Sequence, residues 1–470
     1  MRASATRAAV SLAAGLAVLS VGGSWILTGG PPAAPFSVVM ITLDTTRADR
    51  LSPYGFMNVS LPHLERLARD GIVFDQATSV APMTLPAHTS LFTGLLPPRH
   101  GVRDNMDPPL AETQTTLAEV LRARGFRTGA FVGSVVLDPD RGLKQGFDEY
   151  GRVNSTDRSG PAGRQRRADA VVDDALRWID TVAGSSYFLW AHLYDAHLPY
   201  EPPEPYASIY GHNPYIGEIA FADSQIGRLL DALEAHHLME RTIVIVAGDH
   251  GESLGDHGEL DHGVFIYESV LRVPLIIRTP HLPPRRVGGV VRLTDVMPTV
   301  LDLLHIPAQR TDGVSLADLL TGERSDLDLE AYSESEYPRR LGWSPLRALR
   351  DGRFKLIDAP RPELYDLARD PFEERNVYDE RRAMAAAMTR RLQELARPHS
   401  STGPEFSRRP AEVPPHLAAQ LASLGYVGSR ATTSLATSAP LPDPKDCIGF
   451  YQSRQNRVGS ISARTPARCQ

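Results

Sequence analysis

Thiols are almost absent from this chain. Two cysteines stand in 470 residues, Cys447 and Cys469, both close to the carboxyl end. A disulfide framework, a cysteine-based zinc site and a catalytic thiol are therefore excluded from the main body. The pair could bond to each other in an exported protein. Lysine is also scarce, with only Lys144, Lys355 and Lys445 among 50 basic residues; we take this as compositional bias. The net charge of −6 argues against general binding to nucleic acid or anionic membranes. Only one long apolar run occurs, which excludes a multi-span membrane protein. No internal repeat is visible. What remains is a chain with 42% apolar and 23% charged residues. That composition can build a core and is incompatible with global disorder. The 37 glycines and 38 prolines suit many ordered turns. At ~150 residues per domain the length suggests about three domains, although α/β enzymes often keep one large core.

The apolar run lies at the start. Arg2 and Arg7 flank Ala8 to Thr28, and Gly29-Gly-Pro-Pro-Ala-Ala-Pro35 follows. A basic flank, an apolar stretch and a small-residue exit read as an export signal. A stretch of ~20 residues can also span a bilayer. Residues 1–35 are thus expected to be a cleaved signal or a single-span anchor. The folded part is expected to be periplasmic or otherwise extracytoplasmic, soluble or anchored in the inner membrane.

From Phe36 onward, β-branched runs alternate with amphipathic stretches. Strands are expected at Ser37–Leu43, Gly71–Phe74, Thr128–Val132, Tyr187–Leu193, Thr242–Val246 and Val273–Arg278. Helices are expected at Leu61–Asp70, Leu117–Arg124, Ala168–Val182 and Ile216–His236. This alternation predicts an α/β fold with a mostly parallel sheet sandwiched by helices over residues 36–325. Beyond it the pattern changes. A hairpin at Leu349–Ile357 turning at Asp351-Gly352, a strand at Glu363–Asp366 and a helix at Arg381–Ala396 suggest a smaller α+β subdomain over 326–427. Residues 428–470 are rich in Ser, Thr, Ala, Pro and Arg and are expected to be disordered.

Three of the expected strands run straight into metal-ligating residues. The first ends in Asp44, another in Asp195-Ala-His197, a third in Gly248-Asp-His250. Ligands of parallel α/β sheets bind at the carboxyl ends of strands. A lone Asp there is usually a cap or a turn residue; three such ends in one chain are not so easily dismissed. The densest segment is Gly248 to Gly263, with His250, His257 and His262 beside Asp249, Asp256 and Asp261. Mixed carboxylate and imidazole ligands suit zinc or manganese, while calcium favours an all-oxygen set. A further segment, Ala81-Pro-Met-Thr-Leu-Pro-Ala-His-Thr-Ser-Leu-Phe-Thr-Gly94, puts Thr84 just ahead of a helix whose free N–H groups favour an anionic ester. By itself Thr84 would read as an ordinary cap. Beside a metal ion its hydroxyl could act as a nucleophile.

Together these residues resemble the sulfatase family of the alkaline phosphatase superfamily. The likeness runs from about Phe36 to Gly428. It rests on Asp44, on Thr84–Gly94, on Pro97-Pro-Arg-His-Gly-Val-Arg-Asp-Asn105 and on Gly248–Gly258. Leu293–Thr299, Asp312–Leu316 and Glu363–Leu367 are similar to later landmarks. Sulfatases in the strict sense carry Cys or Ser in a C/S-x-P-x-R motif, which is oxidised to formylglycine. Here Thr84 and His88 stand at the Cys/Ser and Arg positions, Thr45 replaces the second Asp of an Asp-Asp pair, and His262 replaces a Lys. These departures lean toward the superfamily's phosphodiesterases and phosphatases, which use a Thr or Ser nucleophile at an Asp/His dinuclear zinc site.

The resemblance implies an alkaline-phosphatase-like fold and one or two divalent ions, zinc first, with manganese or calcium as alternatives. One centre would comprise Asp44, Thr84, Asp249 and His250. A second would comprise Asp195, His197 and His262. Thr84 would be the nucleophile. Asn105 would contact a substrate oxygen, and His88, His100, Arg103 and His257 are further substrate-binding candidates. The expected function is metal-dependent hydrolysis of sulfate or phosphate esters of small molecules, glycans or lipids. A membrane-anchored phospho-group transferase acting on envelope lipid or glycan is one alternative. A non-catalytic binding protein on the same fold is another.

Overall fold

The run Ser37-Val-Val-Met-Ile-Thr-Leu43 is buried from end to end, so both faces of its strand must be covered. In the computed structural model, which describes residues 36–153, 165–398, 440–455 and 469, this strand (β1) lies in the middle of a nine-stranded sheet. The others are β2 (Ile72–Thr78), β3 (Arg127–Val132), β4 (Glu149–Gly151), β5 (Tyr187–Leu193), β6 (Thr242–Gly248), β7 (Arg272–Val273), β8 (Leu275–Arg278) and β9 (Arg285–Arg292). Their order is β4-β3-β5-β1-β6-β8-β2-β7, with β9 also paired to β2. From β4 to β6 every pairing is parallel, and β8 runs antiparallel to both β6 and β2.

Successive side chains of a strand point to opposite faces, and the core divides accordingly. Val38 and Met40 join Phe188, Trp190, Ile243 and Ile245 on one side. Val39 and Ile41 join Leu189, Ala191, Val244 and Val246 on the other. Helices Pro62–Asp70, Ala168–Val182 and Pro214–Ala235 contribute to the second side. Helix Thr84–Thr93 contributes to the first, and all ten of its residues are buried. The α/β architecture with a mostly parallel sheet between helices is thus as expected. The run expected as one strand over Val273–Arg278 is divided between β7 and β8 by Pro274, which has no N–H for the ladder.

The second sheet is an antiparallel meander, β10 (Ala331–Ser335), β11 (Leu346–Arg350), β12 (Phe354–Asp358) and β13 (Glu363–Asp366). Arg350 pairs with Lys355 across the expected hairpin turn. Helix Arg382–Leu395 covers this sheet with Ala385, Met388 and Leu392, and the same cluster takes in Val80, Ala81 and Leu96 from the larger layer. Residues 331–395 therefore share a core with the layer of the large sheet.

The expected disorder of 428–470 does not hold for its described part. Pro444–Gln455 is a helix, with Cys447 and Ile448 buried in the main core. Cys447 is disulfide-bonded to Cys469. Asp443 accepts from the Arg361 and Lys445 N–H groups, and Tyr451 Oη lies 3.2 Å from Tyr337 Oη. Two apolar anchors and a cross-link hold a segment whose composition alone gives no sign of order. The signal-or-anchor reading falls on residues 1–35, outside the described residues. Among the described residues no helix is long and apolar enough to cross a membrane.

Candidate active site

The parallel register brings three strand ends level. Leu43 is opposite Leu193 on one side and Gly248 on the other. Asp44 N donates to Leu193 O, and Asp249 N donates to Leu43 O. Asp44 and Asp249 thus leave neighbouring strands side by side, and His250 follows at once. The chain then turns sharply at Gly251, where a Cβ atom would lie 2.1 Å from Ser269 O. Only glycine fits this approach. Buried Arg47 holds the next stretch, donating to Glu252 O, Ser253 O and the Asp256 carboxylate.

Asp44, Asp249 and His250 are fully buried, and one ligand atom from each lies within 4.8 Å of the others. His250 Nε2 is 3.6 Å from Asp44 Oδ1, 3.7 Å from Asp249 Oδ2 and 3.4 Å from Thr84 Oγ1. Its Nδ1 sits 2.9 Å from Gly251 O. A carbonyl only accepts, so Nδ1 carries the proton and Nε2 turns a lone pair toward the three oxygens. Among the described residues, both Asp44 oxygens and Asp249 Oδ2 lack a hydrogen-bond partner. Burial raises the pKa of Asp44, and burial together with the Asp44 charge raises that of Asp249 well above the usual carboxylate range. Burial, then His262, lowers that of His250. Unpaired buried carboxylates are costly, and a divalent cation is the partner that this donor set fits.

Thr84 opens the helix at this centre. Asn105 accepts from Leu85 N through Oδ1, while its buried Nδ2 has no partner among the described residues. Asn105, expected to contact a substrate oxygen, is thereby held against the first turn of the Thr84 helix. His88 comes back one turn along the helix, with Nδ1 2.8 Å from Thr84 O and 3.6 Å from Asp249 Oδ2. Burial, then the neighbouring His192, pushes its pKa down to about 3, so it is a neutral support of the centre.

The second expected centre does not assemble. Asp195 accepts from Ala168 N at 2.7 Å and so serves the start of helix Ala168–Val182. Between it and His197, Ala196 takes a left-handed conformation (φ 85°), and Thr45 Oγ1 donates to Ala196 O. The hydroxyl standing in place of a second Asp thus anchors a loop. His197 and His262 do approach, with ring centroids 5.1 Å apart, and His262 lies 4.5 Å from His250. Burial alone would lower the His262 pKa, but the Glu252 carboxylate, 3.1 Å from Nδ1, raises it to about 9. That shift favours the cationic form of His262 beside His250.

Three substrate candidates lie elsewhere. His100 is spent on Ser90 Oγ and Val102 N. Arg103 pairs with Glu334 and Glu336, tying its loop to β10 of the second sheet and the residue just after that strand. His257 stacks on Tyr267 and contacts Phe372 O. Arg103 and His257 find partners in distant sequence, Glu334 and Phe372, while His100 is held by near neighbours through a local turn of chain that residue spacing does not specify. Conversely, sequence reasoning passes over His192, whose Nε2 is 3.3 Å from Asp44 Oδ2, and Glu252. The available signal for His192 is its place at the carboxyl end of β5, on the face shared by Phe188 and Trp190.

Known proteins agree with this architecture. A family described as Sulfatase matches residues 37–306, and one described as N-sulphoglucosamine sulphohydrolase, C-terminal, matches 255–398. An ulvan-active sulfatase of Formosa agariphila is 27% identical over 395 residues, covering 73% of this chain and 76% of its own. Human arylsulfatase A is 24% identical over 449 residues, covering 78% and 85%. Among solved structures, a phosphonate monoester hydrolase of Agrobacterium radiobacter superposes with a TM-score of 0.66 at 23% identity, covering 77% of this chain and 95% of its own. A protein solved in complex with its substrate, D-glucosamine-2-N,6-O-disulfate, gives 0.67 at 21% identity, covering 77% and 97%.

Proposed function

The chain belongs to the sulfatase family and is a sulfatase-like ester hydrolase, and on that premise we propose that it hydrolyses sulfate or phosphate esters with Thr84 as the direct nucleophile at an Asp44–Asp249–His250 metal centre. The convergence of three unpartnered carboxylate oxygens and the His250 lone pair beside Thr84 Oγ1 carries this reading. A divalent ion, zinc by its mixed ligands, supplies positive charge that eases loss of the hydroxyl proton and offsets the anionic ester.

The residues divide the work. Thr84 Oγ1 attacks sulfur or phosphorus, and the bond to the alcohol oxygen breaks. That oxygen leaves with a proton as the free alcohol. Water then cleaves the Thr84 ester, restoring the hydroxyl and releasing sulfate from a sulfate ester, phosphate from a phosphate monoester, or a phosphate monoester from a diester. Asn105 Nδ2, buried and without a partner, can donate to a non-bridging oxygen. The His262 cation, held by Glu252, can face the same anion. A Thr ester, unlike the formylglycine hemiacetal, has no elimination route and must be displaced a second time. That requirement suits phosphoryl transfer and favours phosphate diesters over aryl sulfates. The test is a panel of aryl sulfate, phosphate monoester and phosphate diester, with and without chelator. Turnover that chelation leaves untouched would end the metal-dependent reading. Faster turnover of the aryl sulfate would reverse the preference.

The enzyme is also proposed to act outside the cytoplasm. The Arg-flanked apolar run at 8–28 supports this, and the Cys447–Cys469 disulfide suits an oxidising compartment.

A further inference from the structure

Thr42 Oγ1 lies among three buried ring nitrogens. Trp190 Nε1 is 2.9 Å away, His88 Nε2 3.0 Å and His192 Nδ1 3.1 Å. A hydroxyl offers one proton and two lone pairs. The indole N–H can only donate and takes one lone pair. Of the two imidazole nitrogens, one must accept and the other donate.

The other end of His88 decides which. His88 Nδ1 faces Thr84 O at 2.8 Å, and a carbonyl only accepts, so Nδ1 bears the proton. In a neutral His88, Nε2 is then bare and accepts the Thr42 proton. The remaining lone pair of Thr42 falls to His192, whose Nδ1 must donate. Complete burial favours the neutral form of both rings. His192 Nε2 is therefore bare as well.

That nitrogen points where a lone pair should not. Among the described residues it has no hydrogen-bond partner, and it lies 3.3 Å from Asp44 Oδ2, which has none either. Two electron-rich atoms facing each other in a dry site repel unless a proton or a metal cation lies between them. Two ligands of a tetrahedral ion with bonds of about 2.05 Å stand about 3.3 Å apart. The spacing of His192 from Asp44 is that of two ligands on one ion.

We propose that His192 Nε2 is a nitrogen ligand of the divalent ion held by Asp44, so that the centre carries two imidazoles, His250 and His192. This rests on the reading that Asp44, Asp249 and His250 bind a metal. The chain Thr84 O–His88–Thr42–His192 fixes the tautomer, so Thr42 and His88 are positioning residues for the ligand. It also joins the backbone of the nucleophile to the far side of the metal centre.

The test counts coordinated nitrogens. Full-length protein is stripped with chelator, loaded with one equivalent of copper(II), and examined by pulsed electron paramagnetic resonance. Wild type should show two coordinated imidazoles, and His192→Gln should show one. His197→Gln and His262→Gln should keep both. Zinc affinity, by competition with a chromophoric chelator, should fall at least tenfold in His192→Gln and less in Thr42→Val. A single imidazole in wild type, with copper bound, overturns the assignment while leaving the Asp44–Asp249–His250 site intact. Absence of any stoichiometric binding overturns both. Because wild type alone can return the contradicting count, the test stands even if His192→Gln fails to fold. A purely structural His192 would lower the melting temperature of the variant and move neither the nitrogen count nor the zinc affinity.

Discussion

Asp249→Asn should stabilise the metal-free protein while abolishing its response to metal. Most buried substitutions destabilise, so the sign is diagnostic. In the native chain Asp44 and Asp249 are both buried, with oxygens within 4.8 Å and three of them unpartnered. Where both are ionised, charges 4.8 Å apart repel by about 3.5 kcal/mol at an effective dielectric of ~20. Asn keeps Oδ1, which accepts from His250 N. Its Nδ2 replaces an orphaned acceptor with a donor facing Asp44. Unfolding entropy of ~2.1 cal/mol/K per residue over ~400 residues is about 0.8 kcal/mol/K, so a gain of 2–3 kcal/mol raises Tm by about 3 °C. The opposite holds with metal. Zinc at a hundred times its Kd stabilises wild type by about 2.7 kcal/mol, again about 3 °C. The variant, lacking one of two ligand carboxylates, should show almost none of that shift. Differential scanning fluorimetry with chelator and with zinc reads all four states. A variant less stable than wild type under chelation, yet still raised by zinc, would refute the reasoning.

Two further outcomes follow from other parts of the chain. Asp223 is buried and accepts from His63 N and Leu64 N, and burial raises its pKa to about 7. The folded state therefore keeps a proton that the unfolded chain releases near ~3.9, so this group's contribution is full below about pH 4 and is lost as pH rises to about 7. Asp223→Asn should flatten that fall in urea titrations between pH 4.5 and 8, and an unchanged slope would contradict the assignment. Separately, residues 1–35 fused to a reporter active only outside the cytoplasm should confer activity, and Arg2→Glu with Arg7→Glu should reduce it; a reporter left inactive by the native segment would contradict export.

The large sheet was legible because its physics is local. Fully apolar runs such as Ser37–Leu43 and Thr242–Val246 have one solution, a strand covered on both faces. The Asp44–Asp249–His250 cluster was legible because Asp44 and Asp249 directly follow β1 and β6, so register alone brings them together. The second centre was not. Asp195 and His197 are two residues apart, and the left-handed Ala196 and the claim of Ala168 N on Asp195 are tertiary facts. His100, Arg103 and His257 carry chemistry-bearing groups whose partners, Ser90, Glu334 and Phe372, no spacing reveals. His192 was hidden in the opposite way, inside an apolar strand where a histidine reads as core. The helix at Pro444–Gln455 escaped notice because it is held by contacts and a cross-link that composition does not register.

The central claim, that unmodified Thr84 is the nucleophile, is tested most directly by mass spectrometry of the peptide that contains it. Metal-loaded enzyme is mixed with aryl phosphate diester or aryl sulfate, quenched in acid within the first turnovers, and digested. In resting enzyme the peptide should have the mass of plain threonine. After quenching it should carry a phosphoryl or sulfuryl group on Thr84, absent from substrate-free controls and from Thr84→Val, whose kcat should fall by several orders of magnitude with metal content retained. An oxidised residue 84 in the resting enzyme, or a Thr84→Val variant turning over at the wild-type rate, would contradict the account.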